Sequence, residues 1–187
     1  VRRWRLDANR YVLLTDTVGF IRNLPHHLVA SFHATLAETQ YANLLLHVVD
    51  ASSPNAESQM VTVREVLRSL ECHEKETWVI FNKTDAVPAD RRVEARRLRD
   101  GILAGERAFT ISALTGEGID ALRDAVLDRL RREDREIDIL LPHDRGEILA
   151  YIREHGRIDS TEYVDVGVRV KAALSPARLG KLRAMFP

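Results

Sequence analysis

The chain has 187 residues, of which 45% are apolar and 30% charged, and its 28 basic and 28 acidic side chains give a formal net charge of zero. That length fits one ordinary domain plus a small appendage, with enough chain to bury a real core. The balance excludes an intrinsically disordered chain, and it excludes a global electrostatic drive toward nucleic acid or an anionic membrane.

In chain order, residues 1–6 (VRRWRL) are placed to form an antiparallel hairpin with the strand over 10–15 (RYVLLT), through the turn Asp7-Ala8-Asn9. A helix follows, with Leu28, Phe32 and Leu36 on one face and Pro25 near its start. Residues 44–50 (LLLHVVD) read as a strand, Ser53-Pro54-Asn55 as a break, and Met60, Val63, Leu67 and Leu70 as the buried stripe of a second helix. Strands over 77–82 (TWVIFN) and 108–111 (AFTI) come next. Gly116 and Gly118 then punctuate the turn before a helix carrying Ile119, Leu122, Val126 and Leu130. The strand segments are short and almost continuously apolar, as strands buried on both faces of a parallel sheet must be. Strand and helix alternate, which predicts a doubly wound α/β domain with right-handed crossovers.

The charged stretch 131–138 reads as a linker into a second region. There a strand over 137–141, a helix over 146–155, strands over 158–164 and 167–174 and a helix over 176–185 predict a small β-α-β-β-α unit. The expected division is therefore 1–132 and 133–187. Cys72 is the single cysteine, which excludes an internal disulfide or a cysteine-based zinc site and suits a reducing cytosol. No apolar run approaches the roughly 20 residues a membrane span needs.

Three motifs fall at predicted strand ends. Asn82-Lys83-Thr84-Asp85 follows the strand over 77–82, at the sheet edge where open α/β folds bind ligands. An ionised Asp85 has two acceptor oxygens for the N1–H and exocyclic amine of guanine, a donor pair that adenine lacks. Lys83 can lay its aliphatic stem over the base, and Asn82 can bridge to neighbouring loops. Ser112-Ala113-Leu114 ends the next strand, where the N–H of Ala113 is placed to meet guanine O6. Asp16-Thr17-Val18-Gly19 follows the strand over 10–15. Its Asp16 suits a magnesium-bound water, and Gly19 lets the backbone approach a γ-phosphate. Each motif alone is also an ordinary polar turn. Their common order and placement together point to the reading of a guanine nucleotide. The glycine-rich G-x-x-x-x-G-K-[ST] phosphate loop does not occur in the sequence, and Gly180-Lys181 is its only Gly-Lys pair.

With these motifs, Leu14-Thr15-Asp16-Thr17-Val18-Gly19-Phe20-Ile21-Arg22, Leu24-Pro25-His26, Ala34-Thr35-Leu36, His47-Val48-Val49-Asp50-Ala51-Ser52 and Cys72-His73-Glu74 resemble the HflX-type GTPases of the Obg/HflX group. The resemblance implies a Ras-like G domain that binds GTP and GDP with Mg2+. It also implies GTP hydrolysis, binding of the large ribosomal subunit and its RNA, ribosome splitting, and a cytoplasmic location. Phe20 stands where Ras-like enzymes carry a water-orienting glutamine, so no catalytic residue is assigned, and core packing is its alternative role.

In that family the phosphate loop, its lysine, the direct magnesium ligands and the first strand of the G domain lie upstream of the position of Val1. The expected fold is thus an incomplete Ras-like doubly wound G domain, truncated at its N-terminal side, followed by a small α+β unit. On this reading the 187 residues alone are inactive. The alternative is a non-catalytic remnant or ribosome-binding module. His26, His27 and His33 lack the carboxylate or thiolate support a metal site needs. The arginine-dense segments 91–99 and 129–135 read as solvated helix faces, with ribosomal RNA contact the alternative for the second.

Overall fold

The computed structural model describes residues 1–16, 39–91, 93, 97, 100–101 and 107–186. The expected helix around 28–36, Thr17, Val18, Gly19, Phe20, the three histidines and much of the 91–99 segment lie outside them. Two compact units are present, one of residues 1–2 and 14–122 and the other of 3–13 and 123–187.

The first unit is built on a three-stranded parallel sheet of β3 (Leu45–Asp50), β4 (Thr77–Asn82) and β5 (Ala108–Thr110), in the order β3-β4-β5. Trp78, Val79, Ile80 and Phe81 of the central strand are all buried, as an internal parallel strand requires. Helix α1 (Ala56–Ser69) buries Ala56, Met60 and Val63, spaced four and three apart on one face. Ala56 and Met60 join Val49, Val79 and Phe81 in one apolar cluster. After α1 the N–H of Cys72 bonds back to the carbonyl of Leu67 at 2.8 Å, and Leu70 and Cys72 pack with Leu45, Val66 and Leu67. Arg107 lies over the ring of the buried Trp78 at 4.4 Å, a cation–π contact.

Helix α2 (Ile119–Arg132) follows β5, with Asp120 in its first turn and Arg129, Arg131 and Arg132 in its last, matching the helix dipole at both ends. The division between the units falls within this helix.

In the second unit β1 (Arg2–Arg5) and β2 (Tyr11–Leu14) pair with each other, and Arg2 and Leu14 at their ends group with the first unit. The turn between them is closed by Leu6 N–H donating to the Arg10 carbonyl at 2.9 Å and by Asn9 N–H donating to Asp7 Oδ1 at 2.8 Å. Arg10 also donates to Asp134 through Nη2 at 2.6 Å and Nη1 at 3.4 Å. The two side chains are only 16% and 3% exposed.

Strands β6 (Arg135–Leu141), β7 (Arg157–Val164) and β8 (Gly167–Leu174) form an antiparallel sheet in the order β6-β8-β7. Helices α3 (Gly146–His155) and α4 (Pro176–Arg183) contribute Ile148, Ile152 and Leu182 to a core with Leu141, Val168, Val170, Ala172 and Leu174. Ser175 caps α4, its hydroxyl accepting from Arg178 N–H, with Pro176 in the first turn.

The expected linker over 131–138 is instead the end of α2 and the start of β6. Arg135 and Glu136 pair with Leu174 and Ala173 through the backbone, which asks nothing apolar of their exposed side chains.

Candidate functional site

Parallel strands end together. In the first unit the register sets Asp50 beside Asn82 and Phe81 beside Thr110, so the segments leaving β3, β4 and β5 share one sheet edge.

Asn82 is the junction of that edge. Its Oδ1 accepts from the N–H of Lys83 at 2.8 Å and from the N–H of Ala113 at 2.9 Å, tying the turn after β4 to the turn after β5. Lys83 is in the left-handed conformation, with φ 64°. Thr84 strengthens the tie, since both its hydroxyl (3.0 Å) and its N–H (3.3 Å) donate to the carbonyl of Ile111. Asp85 is exposed, and its Oδ1 accepts the hydroxyl proton of the fully buried Ser112 at 2.5 Å. Ser112 in turn accepts from Thr115 N–H at 3.1 Å. The Gly118 backbone, at φ +75°, passes so close to strand β5 that a Cβ there would lie 2.2 Å from the Thr110 carbonyl oxygen.

The structure therefore brings Asn82, Lys83, Thr84 and Asp85 together with Ser112 and Ala113. Leu114 is 86% exposed at the tip of the same loop. Asp16 is exposed just beyond β2, while Thr17, Val18 and Gly19 lie outside the described residues. No group of three histidines, cysteines or carboxylates able to hold a metal occurs among the described residues. Asp16, expected to face a magnesium-bound water, therefore has no such group around it among the described residues.

Two residues at this edge had no role in the motif reading. Asp50 Oδ2 accepts from Lys83 Nζ at 2.7 Å, and its Oδ1 accepts from the hydroxyl and N–H of Ser52 at 2.6 and 3.0 Å. Burial pushes the Asp50 carboxyl up, but the hydrogen bonds from Lys83 and Ser52 outweigh it and hold it below its ordinary value. The same carboxylate, by hydrogen bond and by charge, raises the Lys83 ammonium above its ordinary value. The sequence showed only that Asp50 ends its strand as Asn82 ends the next, and the pairing of the two ends came from the register.

A parallel α/β sheet with its polar loops gathered at one edge, followed by a small antiparallel α+β unit, places the chain among α/β proteins with an appended unit, and that edge is where such sheets bind ligands. A family model described as the HflX C-terminal domain matches residues 98–183. The chain is 39% identical over 185 residues to the GTPase HflX of Akkermansia muciniphila, covering 99% of this chain and 42% of that protein. It is 41% identical over 136 residues to the GTPase HflX of Escherichia coli, covering 73% of this chain and 31% of that one. Among solved structures, SsGBP in complex with GDP superposes with a TM-score of 0.58 at 28% identity, covering 68% of this chain and 41% of SsGBP. The chain belongs to the HflX family. It spans at most about two fifths of the length of these two curated relatives. No helix among the described residues is long and apolar enough to cross a membrane.

Proposed function

We propose that this chain supplies the base-reading part of a guanine-nucleotide site in a cytoplasmic HflX-type GTPase. In the whole protein, magnesium-dependent GTP hydrolysis is coupled to binding of the large ribosomal subunit, including its RNA, and to ribosome splitting. Residues 1–132 belong, on this reading, to an incomplete Ras-like doubly wound G domain, and 133–187 to its appended α+β unit. Asp85 reads guanine N1–H and its exocyclic amine, Lys83 flanks the base, and Ala113 N–H meets O6. Asn82, Thr84, Ser112 and Leu114 belong to the loops that shape this pocket. Asp16, Thr17, Val18 and Gly19 form the segment facing magnesium and the γ-phosphate.

One observation carries the reading. Asn82 Oδ1 joins Lys83 N–H and Ala113 N–H, so two separate motifs become one rigid edge with Asp85 oriented by Ser112. The GDP complex of the related SsGBP agrees with it.

The test is Asp85→Asn in the full-length gene product. An amide presents one acceptor and an opposing donor, so GTP-over-ATP preference is expected to fall by at least about a hundredfold. Unchanged preference overturns the role of Asp85. Co-sedimentation with large ribosomal subunits, in GTP against GDP, tests the partner.

A second reading is favoured by the placement of Gly180-Lys181 inside α4, where it forms no phosphate loop. In it these 187 residues are a binding module with no phosphate grip of their own. Micromolar GTP binding by the 187-residue chain alone, measured by calorimetry, contradicts this second reading.

A further inference from the structure

The Lys83 side chain is 57% exposed, yet both of its ends are fixed. At the backbone, the left-handed turn and the Asn82 Oδ1 bond set its direction. At the tip, Asp50 Oδ2 takes the ammonium at 2.7 Å.

Asp50 is itself held. Ser52 donates to Oδ1 twice, through its hydroxyl and its N–H, which leaves Oδ2 for Lys83. The two loops are joined at two more points, where Ala51 N–H donates to the Asn82 carbonyl at 2.8 Å and Arg91 Nη1 donates to the Ser52 carbonyl at 2.9 Å. The anchor therefore sits on a braced loop.

A free lysine stem samples many rotamers, and a ligand that stacks on it must first order it. A stem pinned at both ends is an apolar ledge already in place, with its charge neutralised beyond the ledge.

We propose that Asp50 is a positioning residue for guanine-nucleotide binding, holding the Lys83 ammonium so that the lysine stem forms a fixed wall of the base pocket. The proposal rests on the guanine-nucleotide reading of this edge and deepens it. Asp50 touches no nucleotide on this account. It acts through Lys83 alone.

The experiment uses the full-length gene product and a fluorescent GDP derivative, with affinity and dissociation rate measured for Asp50→Asn, Lys83→Met and the double variant. Asparagine keeps the volume of Asp50 and removes its charge. Asp50→Asn is expected to weaken binding by roughly three- to tenfold, mainly through faster dissociation, with GTP-over-ATP preference retained. In the Lys83→Met background, the same change is expected to alter affinity by less than about twofold, because there is no ammonium left to anchor. Wild-type affinity in Asp50→Asn overturns the proposal. So does a full loss that persists in the Lys83→Met background, since that loss reports damage to the loop. If the wild-type protein binds no guanine nucleotide, the reading of the site falls and this proposal falls with it. A wild-type protein that binds GDP beside an unaffected Asp50→Asn removes only the role of Asp50.

Discussion

The two three-stranded sheets use the same number of strands for opposite ends. In the parallel sheet β3-β4-β5 the central strand buries four consecutive residues, Trp78 to Phe81, and all three strands deliver their polar turns to one edge. In the antiparallel sheet β6-β8-β7 the central strand alternates over residues 168–172, with Val168, Val170 and Ala172 buried and Arg169 and Lys171 facing solvent, before Ala173 and Leu174 are both buried at its end. Its strands reverse direction, so its turns are divided between two ends and no edge gathers them. Strand direction thus decides where chemistry collects. The first sheet places hydrogen-bonding side chains such as Asn82 and Asp85 where a ligand can meet them. The second joins its exposed charges to each other, as in the paired bonds of Arg169 to Asp138 at 2.8 and 2.9 Å.

The sharpest way to break this contrast is to damage the second unit and read the first. Arg10→Met leaves the nearly buried Asp134 carboxylate without its guanidinium, and loss of one partner of a buried pair costs about 3–5 kcal/mol. Urea unfolding is expected to show that loss. A cost below about 1 kcal/mol means that the pair is solvated in solution. Ile152→Ala, at a fully buried position of the same unit, is expected to cost about 2–5 kcal/mol by leaving a cavity among Ile148, Val170 and Leu174. Below the melting temperature of either variant, guanine-nucleotide affinity is expected to stay at the wild-type value. A parallel fall in affinity would show that the edge proposed to read guanine depends on the second unit.

Much of this contrast was legible in the sequence. The strand expected over 167–174 and the helix expected over 146–155 are β8 and α3 with the same bounds, because apolar alternation, helical spacing, Gly156 and Ser175-Pro176 agree on them. The nearness of Asn82 to Ala113 followed from placing two motifs at the ends of successive strands. Contacts set by register were not legible. Lys83 reaches Asp50 because the backbones of β3 and β4 align Asp50 with Asn82, and no local pattern encodes that alignment. The Arg10–Asp134 pair spans 124 positions and joins two residues that look like ordinary surface charges. The start of β6 was missed for the converse reason, since Arg135 and Glu136 pair through their backbone alone.

A smaller effect tests the edge itself. Gly118→Ala places a methyl group against the Thr110 carbonyl and asks alanine to hold a left-handed backbone, a conformational cost of about 1–2 kcal/mol before the clash is relieved. The loop carrying Ser112 and Ala113 closes through Ser112 N–H donating to the Glu117 carbonyl at 2.9 Å, one residue away. The change is therefore expected to lower nucleotide affinity together with stability. Stability loss with intact affinity would separate the Ser112-Ala113-Leu114 turn from the site.

The smallest expected effect is one of pH, and its sign follows from the two shifts at the edge. The Asp50 carboxyl lies below its ordinary value of 3.8, so its contribution is present above that value and is lost as pH falls through the lower, folded one. The Lys83 ammonium lies above its ordinary value of 10.5, so its contribution is complete below that value and is lost as pH rises through the higher, folded one. Between about pH 5 and 9 neither group exchanges a proton on folding or on binding, and the pair adds no slope. The ratio of GDP affinities between wild type and Asp50→Asn is accordingly expected to be flat across that window and to shrink toward one only near pH 4 and below. Added salt is expected to shrink the same ratio at neutral pH, because the pair is part-exposed and open to screening. A ratio that changes with pH inside the window would assign the Asp50 effect to some other titrating group, and the Lys83 anchor would no longer account for it.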